Sequence, residues 1–80
     1  MNYDIAKTVN AKGLICPEPM MMLHSAVRDA KPGDIIEVLA TDTTTERDIK
    51  QFCEFLDHPL LGKQEDAGVL TFYVQKKEAS

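Results

Sequence analysis

The chain has 80 residues, 28% of them charged, no tryptophan and a formal net charge of −4. That length supports one hydrophobic core near the lower limit for folding without a metal, a disulfide or a partner, so a single domain over residues 1–80 is expected. The acidic balance argues against direct nucleic-acid binding, which draws its affinity mostly from lysine and arginine on phosphates. No apolar run is long enough to cross a bilayer, and "MNYDIAKTVN" lacks the basic and apolar regions of a secretory signal; a cytoplasmic protein off the membrane is expected.

The first element read along the chain is a short strand in "YDIAKTVN", where Ile5 and Val9 lie to either side of a polar Lys7, and Gly13 then turns the chain. From Pro17 onward "PEPMMMLHSAVRDAK" has the period of a helix, with Met20, Leu23, Val27 and Ala30 on one face. Arg28 and Lys31 are assigned to its last turn, where positive charge suits the dipole, and "KPGD" stops it. "DIIEVLAT" follows as a strand apolar on both sides except at Glu37, which predicts a central place in the sheet. "DTTTERDIKQFCEFLDH" predicts a second helix, with Thr43 and Glu46 as a capping box and an apolar stripe of Ile49, Phe52, Cys53 and Leu56. It breaks at His58-Pro59. "LLGKQED" and "VLTFYVQK" then form a hairpin around Asp66-Ala67-Gly68.

This order, βαβαββ, predicts an α/β two-layer sandwich: a mixed four-stranded sheet with both helices on one face and the other face open. The first two strands are expected to run parallel through a right-handed crossover. Phe72 or Tyr73 on the open face would mark a contact surface, and either serves as well in the core.

Among candidate reactive residues, Cys16 is the most informative. The residue before Pro17 is pushed toward extended geometry and proline suits the first helical position, which makes Cys16 the expected N-cap. There the sulfur would meet unpaired amides and the positive end of the helix dipole, both of which favour thiolate. Pro17 and Pro19 remove two donors and Glu18 adds negative charge, so only a moderate activation is expected. On these grounds a reactive Cys16 and a buried structural Cys16 stand equally open, since free cysteines are often buried.

Cys53 falls in register with Ile49 and Leu56, which predicts a buried, inert thiol. His24 is expected on a solvent-exposed helix surface and His58 at a helix end. The two cysteines and two histidines are scattered, without a CxxC or Cys/His ligand spacing, so no metal site is expected. Met20, Met21 and Met22 cannot all share one helical face, so part of the run is expected at the surface, where flexible methionines suit docking.

The stretch from about Val9 to the final strand resembles the TusA/SirA family of sulfur-carrier proteins, most specifically in the Cys-Pro-x-Pro motif Cys16-Pro17-Glu18-Pro19 preceded by Gly13-Leu14. "PGD" after the first helix, and "RDI" with "FCEFLDH" in the second, resemble its TusA branch. The resemblance implies the same βαβαββ sandwich and a persulfide carrier with no metal or organic cofactor. Cys16 would accept sulfane sulfur from a cysteine desulfurase and pass it to a downstream sulfur-relay protein. Gly13, Leu14, Pro17 and Pro19 would set the motif's geometry. Glu18, Met21 and Met22 would meet partners, together with Arg47, which a solvated face explains as well.

For the TusA branch the implied pathway is 2-thiolation of the wobble uridine of transfer RNA, carried out by a protein that is monomeric when free. Relatives serve molybdenum-cofactor biosynthesis, sulfur oxidation or selenium metabolism. Asn10 stands where the family commonly has aspartate, and Ile15 where its TusA branch often has arginine, a change expected to weaken thiolate stabilisation. Two other readings stay open: an adaptor module in which Cys16 is structural, and a thiol redox protein using Cys16 with Cys53, which requires the two Cα atoms within about 7 Å.

Overall fold

The computed structural model describes residues 4–15 and 18–77. Its elements are β1 (Ile5–Ala11), α1 (Glu18–Asp29), β2 (Ile35–Ala40), α2 (Thr44–Leu56), β3 (Leu60–Asp66) and β4 (Val69–Gln75). The expected βαβαββ order is the observed one.

The strands lie in the order β1-β2-β4-β3. β1 runs parallel to β2, whereas β4 is antiparallel to both β2 and β3, so the sheet is mixed and β2 is central as expected. Strand residues alternate between faces. Val9, Val38 and Phe72 sit opposite one another across three strands, as do Ile36 with Val74 and Ala40 with Leu70. These side chains are all buried, and all but Ala40 share one cluster with Leu23, Ala26 and Val27 of α1 and Ile49, Phe52 and Cys53 of α2, so both helices cover the same face. On the other face Ile35, Glu37, Leu39, Thr71, Tyr73 and Gln75 are half-buried. Phe72 is therefore core and Tyr73 belongs to the open face.

Local details depart from the sequence expectations in four places. A register shift between Ile5 and Lys7 breaks the early part of β1, and the strand's buried residues are Val9 and Ala11. α1 ends at Asp29, which leaves Arg28 in its last turn and Lys31 beyond it. Lys31 instead enters the turn that follows, where its N–H donates to Asp34 Oδ2 at 2.9 Å. The cation at the end of α1 comes from far along the chain: Lys76 Nζ donates to the Ala30 carbonyl at 2.6 Å.

The third departure is the capping box. Thr43 has helical φ and ψ and makes no side-chain cap bond. Asp42 does that work one residue earlier, accepting the Thr44 N–H at 2.9 Å and the Thr44 hydroxyl at 2.8 Å. Glu46 is drawn away from the helix start by an ion pair with Lys63 of β3 and by Lys50, 3.2 Å distant, and these cations, Lys63 foremost, hold its carboxyl below the usual carboxylate range.

The fourth departure lies on α2, whose buried residues are Thr45, Ile49, Phe52 and Cys53, with Leu56 exposed. Leu56 is the last residue of the helix and lies outside the core cluster. Asp57 takes a left-handed conformation and its N–H bonds back to the Cys53 carbonyl, so the chain leaves before Pro59 forces it to. At the hairpin, Asp66 still pairs with Val69 and the loop is only Ala67-Gly68, both at positive φ, the geometry that matches strand twist.

Candidate functional site

The parallel strands β1 and β2 end together, with Ala11 paired to Ala40. The chain leaving β1 there leads to the Cys-Pro-x-Pro motif, and the chain leaving β2 leads to α2. Cys16 and Pro17 lie outside the described residues, so the site is built from what flanks them. Leu14 packs against the core cluster and its N–H donates to the Ala11 carbonyl at 3.2 Å. Pro19 is fully buried at the start of α1. Between these two anchors, Ile15 is 71% exposed, Glu18 is exposed, and the Glu18 N–H donates to the Ile15 carbonyl at 3.0 Å.

Gly13 adopts φ +81°, the left-handed region that glycine tolerates, and its N–H donates to Thr41 Oγ1 at 2.9 Å. The side chain of Asn10 accepts the Lys12 N–H at 3.2 Å. An aspartate could accept the same bond, so the asparagine keeps this turn while removing a charge. No cation stands at position 15, where Ile15 presents an apolar surface.

Met21 is 64% exposed and Met22 is also exposed, whereas Met20 packs on the core. The run divides as helical geometry requires. Arg47 is exposed on α2, with its Nε 4.0 Å from Asp48 Oδ1, a surface pair within one helix. His24 is exposed as expected, and its ring also meets Phe52 edge-on with centroids 4.6 Å apart.

The second cysteine has a different setting. Cys53 is buried, and burial pushes its thiol up to about 11. At neutral pH this keeps Cys53 as the thiol and not the thiolate, the form that reacts. Nearby His58 is held neutral by burial and by Lys76 and Lys77, and its Nδ1 accepts the Lys77 N–H at 2.8 Å. Among the described residues, no group of three or more His, Cys, Asp or Glu could hold a metal ion. No helix among them is long and apolar enough to cross a membrane.

Two features escaped the sequence reading. Thr41 ties the motif loop across the sheet end, and nothing in its immediate neighbourhood signals that role. Phe55 is 87% exposed and, with Met20, His24, Phe52 and Leu56, lines a groove of about 510 Å³ between the helices. The signal for Phe55 was available, since it falls off the 49-52-53 stripe.

Comparison with known proteins agrees with this architecture. The family model for "Sulfurtransferase TusA" matches residues 7–76. A sulfur carrier protein TusA of Pseudomonas aeruginosa (strain LESB58) is 48% identical over 77 residues, covering 96% of this chain and 98% of the relative. That of Pseudomonas entomophila (strain L48) is 53% identical over 70 residues, 88% of each chain. The crystal structure of a SirA-like protein from Desulfitobacterium hafniense superposes with a TM-score of 0.79 at 20% identity, covering 90% of this chain and 99% of that one, a likeness of fold. With a family match over nearly its whole length and relatives about half identical to it, the chain belongs to the TusA family of sulfur carrier proteins.

Proposed function

We propose that Cys16 is the carrier thiol, taking up sulfane sulfur as a persulfide and handing it to an acceptor protein. One observation carries the choice: a sulfur carrier needs an exchangeable thiol, the chain has two cysteines, and Cys53 is buried with its thiol held at about 11. The residues flanking Cys16 support the reading, because Ile15 and Glu18 are exposed while Leu14 and Pro19 are anchored.

The chemistry is thiol exchange on a persulfide. The Cys16 thiolate attacks the terminal sulfur of a donor persulfide, a new S–S bond forms, the donor's S–S bond breaks, and the donor cysteine leaves as thiolate. An acceptor thiolate then attacks the terminal sulfur of Cys16-S-SH and releases the Cys16 thiolate. Each step conserves electrons and protons, and neither needs an added oxidant or a metal.

The donor in this proposal is a cysteine desulfurase and the acceptor a downstream sulfur-relay protein, in the service of 2-thiouridine synthesis in transfer RNA. Glu18, Met21, Met22 and Arg47 are the proposed partner contacts; all four are exposed. The test is incubation with a cysteine desulfurase and cysteine, followed by intact mass measurement. The wild type and Cys53→Ala should each gain one sulfur atom, and Cys16→Ser none. Undiminished loading of Cys16→Ser would overturn the assignment.

A further inference from the structure

Residues 11–14 carry the chain from β1 toward Cys16, and three consecutive amides there are bonded. Two bonds are local: Lys12 N–H to Asn10 Oδ1 and Leu14 N–H to the Ala11 carbonyl, both at 3.2 Å. The middle one is not. Gly13 N–H donates to Thr41 Oγ1 at 2.9 Å, across 28 residues of sequence. Thr41 directly follows Ala40, the last residue of β2 and the partner of Ala11, so its hydroxyl stands where the two parallel strands end side by side.

The left-handed turn at Gly13 is not imposed by crowding, since a Cβ there would meet nothing within 4 Å. The loop's placement therefore depends on its tethers: Leu14 in the core on one side and the Thr41 hydroxyl on the other. Both Gly13 and Thr41 are exposed. A bond in that setting adds little to global stability, but it can decide how one short segment is oriented.

We propose that Thr41 is a positioning residue for sulfur transfer: by accepting the Gly13 N–H it holds the loop leading to Cys16 in the arrangement from which the thiolate exchanges. The inference rests on Cys16 being the carrier thiol. Thr41 acts through the backbone of residues 13–15 and has no contact with the sulfur in this scheme. Loss of the bond leaves the thiol present but spread over more orientations, so fewer encounters with a donor persulfide are productive.

Thr41→Val keeps the side chain's shape and removes the acceptor, while Thr41→Ser keeps the hydroxyl. The full-length chain is loaded by a cysteine desulfurase with cysteine, and the loading rate is followed by intact mass over a range of carrier concentrations. Thr41→Val should load roughly three- to tenfold more slowly, chiefly in the maximal rate, with Thr41→Ser near wild type and the three thermal midpoints together. In a Cys53→Ala background, the pH profile of Cys16 alkylation by iodoacetamide should be displaced in Thr41→Val and restored in Thr41→Ser. Thr41→Val behaving as wild type in loading and alkylation, while Cys16→Ser fails to load, overturns the inference alone. Slower loading in both Thr41 variants, in proportion to lowered thermal midpoints, also overturns it. Loading of Cys16→Ser overturns the carrier assignment and this inference with it.

Discussion

The two segments that contain the cysteines treat their surroundings in opposite ways. Around Cys16 the chain alternates anchors with exposed residues: Leu14 packs on the core, Ile15 and Glu18 face solvent, and Pro19 is buried again. Around Cys53 the anchors are continuous, with Ile49, Phe52 and Cys53 itself all buried on one helix face. Cysteine chemistry follows this difference, because removing water from a thiol disfavours the thiolate and leaves a small apolar residue. A stretch anchored at Leu14 and Pro19, with Ile15 and Glu18 in solvent, suits exchange; a segment pinned throughout suits packing.

The largest expected effect comes from labelling the two thiols directly. Iodoacetamide at neutral pH should modify Cys16 in the native protein and reach Cys53 only after denaturation, as read by peptide mass mapping. Equal native labelling of both would remove the contrast. The next effect tests how the second segment keeps its thiol unreactive. Ile49→Ala should cost about 2–5 kcal/mol in urea unfolding, since Ile49 is fully buried, and should speed native alkylation of Cys53 as that part of the core loosens. An unchanged Cys53 rate in a destabilised protein would show that the thiol is protected independently of this packing.

A smaller effect of opposite sign is expected at Thr45. Its hydroxyl is buried with no hydrogen-bond partner among the described residues. Thr45→Val removes an unsatisfied polar group at nearly constant shape and should stabilise the protein by about 1 kcal/mol in the same assay. Destabilisation would show that the hydroxyl is satisfied in solution.

The smallest effect concerns pH at the far end of the second segment. His58 accepts the Lys77 N–H through Nδ1, which requires that nitrogen unprotonated. Burial foremost, then Lys76 and Lys77, lower its pKa below the reference 6.5, against the opposite pull of Asp57; His24 adds slightly to the lowering. The unfolded chain therefore takes up a proton at a pH where the folded chain has not. This contribution to stability is complete above 6.5, falls as pH drops from 6.5 toward the lower folded value, and levels off below it. Urea midpoints measured from about pH 8 to about pH 5 should fall more steeply for wild type than for His58→Gln. Parallel curves would show that His58 carries none of the dependence.

Family membership and the burial of the second thiol were legible in the sequence. The Cys-Pro-x-Pro motif with its preceding Gly-Leu carries the family resemblance, and the helical period marks Cys53 as packing. Leu56 keeps the spacing of the stripe and lies within α2, yet as the helix's last residue, followed by the left-handed Asp57, it stays exposed. The capping box failed for a related reason. Thr43 and Glu46 have the right spacing, yet Asp42 offers its carboxylate to Thr44 while Lys63, brought up by β3, takes Glu46.

Local periods and turn residues, each acting over a few positions, specify the order of the elements, the open-faced sandwich, the hairpin and the burial of Cys53. Tertiary structure alone decided that Phe72 faces the helices and Tyr73 the open side, that Lys76 closes α1 at Ala30, and that Thr41 holds Gly13. Those pairings join residues far apart in the chain. They exist only once strand register and helix packing have set the distances between them, and no local pattern carries that information.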